Sequence, residues 1–470
     1  MKSLVTWLIL LSATTSFAAT PDERIAEMER ALSPLVTIRG EPSSVTSLVQ
    51  RMEQLKVPAV SIVVMTDGKI EWARAYGYAD KEAGVKATPD TLFQAGSISK
   101  PVAALAALKL VEDGALNLDA DVNGKLKSWR LPDNEFTTAH KVTLRQILNH
   151  TAGLTVWGFP GYERSGKVPS VVDVLDGKGN TEAIRVWKTP GGSWRYSGGG
   201  YTVMQLMLSD VTGRAFPDLM DALVLKPLGM NDSTYQQPLP ESWQSRAASG
   251  YMSSGAKVPG SWHIYPEMAA AGLWTTASDL AKFLLEVQRS RAGKGRILSA
   301  KMTNAMLTPG MNNHGLGPVI SPDGKRFGHG GADAGFQADA TAFLDGGTGV
   351  VIMTNSDNGG RLAQELEFTL ARIYGWAGMQ PVEKSVVKLS PAALQRFAGT
   401  YKFPDGRGVI EIRAGDGVLV LSAAGQPDVQ ILPESDTKFF DRDSGFPVEF
   451  VADGDSMTAV VRGIARAVRQ

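Results

Sequence analysis

Apolar positions first fall into order near residue 58, where Val60, Ile62 and Val64 recur at every second position and polar residues fill most of the gaps beyond. Asp67-Gly68 supplies a two-residue turn, and Ile70, Trp72 and the Tyr76-Gly77-Tyr78 run follow it. Period two around such a turn predicts a β-hairpin over 58–79. The period then lengthens. Val102, Leu105, Leu108 and Val111, set among alanines, predict a buried helix over 101–113, with Pro101 tolerated in the first turn and Gly114 ending it. Between about 120 and 310, helical patterns at 144–148, 201–211 and 277–287 alternate with loops rich in Gly, Pro and Ser. Strand patterning returns at 338–344 and 350–354, joined by the Gly-rich 345–349, and predicts a second hairpin. Leu362, Leu366, Leu370 and Ile373 then mark one face of a helix ending near Gly375.

Strands at both ends with helices between them predict an α/β chain of the α+β type. One antiparallel sheet is closed by the two ends and flanked by helices, with a helical subdomain beside it. Composition changes after about Gly378. Residues 379–390 read as a linker, and six short alternating segments between 400 and 461, separated by Gly, Asp and Pro, predict a small antiparallel β domain over 391–470, a barrel or a sandwich.

The first residues have another character. Met1-Lys2, an apolar run from Leu4 to Leu11 and the small-residue exit Ser16-Phe17-Ala18-Ala19 form the three-part layout of a secretory signal peptide over 1–19. That leaves 20–378 as the main domain and implies export to the periplasm or medium. The apolar run is too short to span a bilayer, and no other stretch approaches 20 uninterrupted apolar residues, so no integral membrane segment is expected after processing. The 470 residues include no cysteine, which removes disulfides and thiolate chemistry. Lys and Arg total 48 against 48 Asp and Glu, a balance that argues against a nucleic-acid partner.

One short pattern carries chemistry. Ser97-Ile98-Ser99-Lys100 sets a hydroxyl and an amine three residues apart just ahead of the buried helix, so both can lie on one helical face. A lysine that has lost its proton can accept one from serine and make it a nucleophile. S-x-x-K recurs at Ser254–Lys257, Ser385–Lys388 and Ser435–Lys438, but none of these opens a buried helix. Two further segments follow in order. Tyr196-Ser197-Gly198-Gly199-Gly200-Tyr201 places a phenol on a Gly-rich turn before a helical pattern, and Phe327-Gly328-His329-Gly330-Gly331-Ala332 places glycines beside a histidine on a strand. The remaining histidines, His140, His150, His263 and His314, show no H-E-x-x-H spacing, and His150 is expected to brace a loop; no metal or cofactor is called for. No G-x-S-x-G elbow occurs.

Taken with the phrases Leu148-Asn149-His150-Thr151-Ala152-Gly153-Leu154, Lys226-Pro227-Leu228-Gly229-Met230 and Ala271-Gly272-Leu273-Trp274-Thr275-Thr276-Ala277-Ser278-Asp279-Leu280, these segments resemble the serine β-lactamase and penicillin-binding-protein-like superfamily over roughly 45–375. The resemblance is to its class C-like branch, which holds family VIII esterases, D-aminopeptidases and mitochondrial β-lactamase-like proteins. It implies that Ser97 is acylated, that Lys100 is its base or proton relay, and that Tyr196 activates the nucleophile and protonates the leaving group. His329 and Gly331 would line the substrate site, and the backbone N–H groups of Ser97 and Ala332 would form the oxyanion hole. It also suggests that the C-terminal β domain is lipocalin-like.

Two positions depart from the branch's lactamases. Gly198 stands where an asparagine is usual, and His329 where a lysine is usual; both changes weaken recognition of a carboxylated lactam or stem peptide. The reading that results is an exported serine hydrolase acting on a small ester, amide or peptide. A D-amino-acid peptidase or β-lactamase is the alternative within that chemistry, and a non-catalytic binding protein the alternative outside it. Aromatic residues Trp157, Phe159, Tyr162, Trp194, Tyr201, Trp262 and Tyr265 are candidates for an acyl pocket. Oligomeric state is not legible.

Overall fold

The computed structural model describes residues 19–42, 45–404, 408–424, 428–454, 456–461 and 465–470. Apart from Ala19, the expected signal peptide falls outside the described residues. The elements that position the site are helices α1 (Pro21–Arg30), α2 (Leu48–Leu55), α3 (Ser99–Glu112), α4 (Gly198–Thr212), α5 (Ala277–Arg291) and α6 (Gly359–Tyr374). With them stand strands β1 (Ala59–Thr66), β2 (Lys69–Asp80), β3 (Val85–Lys86), β4 (Val319–Ile320), β5 (Arg326–Asp333), β6 (Phe336–Phe343) and β7 (Gly349–Thr354).

The seven strands form one antiparallel sheet in the order β3-β2-β1-β7-β6-β5-β4. Its closure is the pairing of the first hairpin with the last strand, Val60 opposite Thr354 through Met65 opposite Gly349. Strand β1 reads as an almost unbroken apolar run because both faces of the sheet are covered. Val60, Ile62 and Val64 face α1, α2 and α6, meeting Met28, Met52, Leu362 and Leu366. Ala59, Val63 and Met65 face the other way, into the large core shared with α3, α4 and α5. The alternation seen in the sequence therefore selects between two buried faces.

Helix α3 starts at Ser99, two residues before the expected first turn, and ends at Glu112, capped by Asp113 and followed by Gly114 at φ +78°. Its alanines leave it buried almost all round, as its mixed surroundings require. Helix α6 ends on Gly375 in the left-handed conformation, as expected.

After the sheet domain the structure is more ordered than a linker. Val382–Lys384 pairs in parallel with Val36–Ile38, which ties the connecting segment to the N-terminal side of the main domain. The C-terminal domain begins with the short helix Pro391–Gln395 and is a closed antiparallel barrel of eight strands. Six of these were legible as alternating segments; Lys438–Asp441 and Ala465–Arg469 were not, being short and interrupted by charge. Phe397, Tyr401, Phe439 and Phe450 fill the interior. The barrel docks on the main domain through Leu432 and Phe440 against Leu35 and Val36. Ion pairs Arg361 to Asp443 (3.1 Å) and Lys384 to Glu434 (2.8 Å) flank the contact.

Just past β7, Asn355 is fully buried and saturates its amide. Its Oδ1 accepts from the Ala59 N–H (2.7 Å), and its Nδ2 donates to the carbonyls of Tyr78 (3.1 Å), Ala79 (3.3 Å) and Ser249 (3.0 Å). These groups come from strands and a loop that would otherwise leave buried polar atoms unpaired. Replacing Asn355 by leucine is expected to lower the unfolding free energy by about 3 kcal/mol in urea titrations. A change under about 0.5 kcal/mol would show that the sheet does not depend on this junction.

Candidate active site

Ser97 sits in a single 3-10 turn, Gly96–Ile98, that leads directly into α3. Lys100 falls in the first turn of the helix, and its Nζ lies 3.0 Å from Ser97 Oγ and 2.8 Å from the Ala270 carbonyl, to which it donates. The ammonium end is buried, 2% exposed, so these two contacts define where it points. The turn is held from behind: Ser99 Oγ accepts from the Leu273 N–H (3.0 Å) and the Tyr235 hydroxyl donates to the Ser99 carbonyl (2.7 Å). None of the other three S-x-x-K matches pairs its side chains. Lys257 bonds Asp80, and Ser435 Oγ accepts from the Lys438 backbone.

Strand β5 comes up against this turn with almost no space between the two backbones. At Gly331 a Cβ would lie 1.9 Å from the Ala95 carbonyl oxygen, and at Gly96, whose φ is +51°, 2.4 Å from the Ala332 nitrogen. Glycine is required at both positions. This contact brings the backbone of Ser97 beside that of Ala332.

Tyr196 stands two residues before α4, whose N-cap Ser197 accepts from the Gly200 N–H (3.1 Å). Its ring lies 4.9 Å from Lys100 Nζ. His150, at φ +61°, accepts the Ser197 N–H on Nδ1 (3.1 Å) and stacks on Tyr196 at 4.2 Å, so it braces the Tyr196 turn as expected. At Gly198 a Cβ would lie 3.0 Å from the Phe159 ring and 3.2 Å from the Trp157 carbonyl oxygen, so a larger residue there would require its neighbours to shift.

Ser97, Tyr196, His329, Gly331 and Ala332 line one cleft of about 520 Å³, together with Trp157 and His314. Of the aromatic residues proposed for an acyl pocket, Trp157 alone belongs to its lining. Tyr201 and Tyr265 are fully buried, Tyr201 donating to the Leu148 carbonyl (2.9 Å), and Trp262 packs on Trp274 in the core. Spacing along a sequence does not distinguish a ring at a cleft mouth from one in a core.

The cleft is electrostatically quiet around Lys100. Burial, aided by the Lys100 charge, holds His329 down at about 3 and His150 well below the ordinary imidazole range, and it lowers His314 as well. All three are neutral at pH 7. Behind the turn, burial pushes Glu267 up to about 8 and Asp333 well above the carboxylate range. Both Glu267 oxygens lack a hydrogen-bond partner. Nothing in the sequence singles out Glu267, a lone acid ahead of an alanine run, and the role of His314 in the cleft was equally hidden.

These displacements set a pH profile for stability. A neutral buried imidazole stabilises fully above its unfolded value of 6.5, and that contribution is lost as pH falls toward 3. The protonated Glu267 carboxyl contributes fully below 4.5, and its contribution is lost as pH rises through 8. Glu267→Gln, which mimics the protonated acid, should gain on the wild type by up to about 1.4 kcal/mol for each pH unit crossed in that window. Urea titrations at pH 5, 7 and 8.5 check this; parallel profiles for the two proteins would contradict it.

Comparison with known proteins bears on the cleft directly. The chain is similar to penicillin-binding protein 4* of Bacillus subtilis, 24% identical over 427 residues that cover 85% of this chain and 92% of that one. It is 34% identical to esterase EstB of Burkholderia gladioli over 201 residues, 41% of this chain and half of that protein. Among solved structures, an octameric penicillin-binding protein homologue from Pyrococcus abyssi covers 90% of this chain with a TM-score of 0.62 at 24% identity. The D-amino acid amidase of Ochrobactrum anthropi SV3 covers 70% with a TM-score of 0.56 at 23% identity, and both likenesses speak to the fold. A family model described as Beta-lactamase matches residues 46–373, a span that holds every element shaping the cleft, and on that ground the chain belongs to the Beta-lactamase family and is a serine hydrolase.

Proposed function

We propose that this protein is an exported hydrolase that cleaves a small ester or amide through an acyl-enzyme on Ser97. The observation that carries the reading is the 3.0 Å contact between Ser97 Oγ, which lines the cleft, and the buried Lys100 Nζ at the head of α3. Ser97 Oγ attacks the substrate carbonyl carbon, and its proton leaves across that contact to Lys100, which must first give up a proton to become the accepting amine. The backbone N–H groups of Ser97 and Ala332 receive the oxyanion; donors of this kind are each worth about 3 kcal/mol in the transition state. Collapse of the tetrahedral intermediate breaks the bond to the leaving group, which takes a proton from the Tyr196 phenol. Water then attacks the acyl carbon, giving a proton to the Tyr196 phenolate, and Ser97 leaves as its oxygen recovers the proton held on Lys100.

Substrate class follows from what surrounds the nucleophile. His329 is an uncharged imidazole at pH 7, so it offers no fixed cation to a substrate carboxylate. Gly198 carries no amide side chain to bind substrate, and the Phe159 ring and the Trp157 carbonyl crowd its position. Both features favour uncharged esters and amides over carboxylated lactams. Relatives named as an esterase and as a teichoic acid D-alanine hydrolase are compatible with this reading. Export rests on the three-part layout of residues 1–19; a secreted product whose mass begins at Thr20 would support it, and an uncleaved cytoplasmic product would refute it.

A fluorophosphonate probe should label the wild type and leave Ser97→Ala unlabelled, read by intact-protein mass. Stoichiometric labelling of that variant would sink the assignment. Tyr196→Phe should lower kcat on p-nitrophenyl butyrate by about 100-fold. Across p-nitrophenyl butyrate, nitrocefin and D-alanyl amides, the ester should show the highest kcat/KM; a preference for nitrocefin would instead identify a β-lactamase.

A further inference from the structure

His314 is absent from the three motifs, yet it stands in the cleft beside Tyr196. Two consecutive left-handed residues, Asn312 and Asn313, turn the chain sharply ahead of it, and a bridge to Val319 pins the backbone. The side chain is 6% exposed, and its ring lies 6.2 Å from Tyr196, 6.3 Å from His329 and 5.2 Å from Trp194.

The hydrogen bonds of the three imidazoles assign their protons. His314 Nδ1 lies 3.4 Å from the Asn312 carbonyl, and His329 Nδ1 lies 2.6 Å from the Gly330 carbonyl. A carbonyl can only accept, so in each ring Nδ1 carries the hydrogen and Nε2 bears a free lone pair. His150 is the reverse: its Nδ1 accepts from Ser197, and the hydrogen is on Nε2. Neither His314 Nε2 nor His329 Nε2 has a partner, although both are buried. An unpaired buried acceptor is costly. His150 Nε2–H is also without a partner, its ring 5.1 Å from that of His314, but no hydrogen bond joins them. Since His314 and His329 both line the cleft, a donor brought by a ligand would satisfy them.

We infer that His314 and His329 form a paired acceptor subsite that binds an uncharged O–H or N–H donor on the substrate's leaving group. The inference rests on the hydrolase reading above. Tyr196, the proposed proton donor to the leaving group, has both rings about 6 Å from its own, which puts that half of the substrate beside them. A carboxylate there would meet two lone pairs. A cation would meet the Lys100 ammonium, whose charge already disfavours protonation of both histidines. A hydroxyl or amide N–H meets neither obstacle.

The test holds the acyl group constant and changes only the leaving group. For 2-hydroxyethyl, propyl, carboxymethyl and trimethylammonioethyl butyrates, kcat/KM reports the acylation step. The wild type should favour the hydroxyethyl ester over the propyl ester by about tenfold, with both charged esters below the propyl. His314→Phe keeps a ring against Trp194 and removes the acceptor, so the hydroxyethyl-to-propyl ratio should fall to about one. His314→Gln, which restores an acceptor, should recover part of the ratio. A purely structural role would lower both esters together and leave the ratio intact in His314→Phe, which would overturn the inference. Equal rates for the two neutral esters in the wild type would overturn it too, while Ser97 butyrylation by the propyl ester left the hydrolase reading standing. No butyrylation by any ester would remove both.

Discussion

The site depends on one contact between two stretches of backbone: the turn Ala95-Gly96-Ser97 pressed against Gly331-Ala332 of β5. Side chains at Gly96 or Gly331 would overlap a neighbouring main-chain atom, so the approach exists only because both carry none. It joins the helical core, through α3, to strand β5 of the sheet. Everything proposed for the chemistry lies within reach of it: the Ser97 hydroxyl, the Lys100 amine one helical turn on, and the N–H of Ala332 across the gap. The sheet's closure by β1 and β7 holds β5 in register, and the saturated Asn355 junction ties that closure to the loop near Ser249.

Around that contact the protein removes charge. Lys100 is buried among His150, His314 and His329, none protonated at neutral pH, and ahead of the raised carboxyls of Glu267 and Asp333. In a region of low polarity each further charge would be expensive, and the nearby groups shed theirs instead of pairing. The cleft that results is lined by the Tyr196 phenol, two neutral imidazoles and the carboxyls of Asp339 and Glu367, both raised by burial. Such a lining discriminates by hydrogen-bond donors on the substrate more than by substrate charge. The barrel is joined to this arrangement at a distance, through Phe440 and Leu432 against the N-terminal segment and through the parallel pairing of 382–384 with 36–38.

Much of the fold was legible from periodicity. The two hairpins, α3, α4, α5 and α6 fall where period two or period 3.6 placed them, because each buries a face whose spacing the element's geometry dictates. Misjudgements came where the cue was local and the outcome was not. Residues 382–384 looked like linker because a three-residue strand leaves no periodic trace, and it forms only because 36–38 lies alongside. Two barrel strands were missed for the same reason, while the closure of the barrel supplied their partners.

For the site, the sequence by itself determined which residue types stand at Ser97, Lys100, Tyr196 and His329, and the buried helix that follows Lys100 marked that S-x-x-K out from the other three as the candidate. Only the tertiary structure decided the rest. It sorted the aromatic residues into cleft and core, made Gly331 and Gly96 obligatory, and brought His314 into the cleft from a loop about 120 residues beyond Tyr196. Protonation was decided there as well, since it depends on burial and on which atoms are near, neither of which is written in neighbouring residues. Periodic contacts repeat along a chain and can be read from it; a convergence of single side chains from distant segments does not repeat, and becomes visible only once the chain has folded.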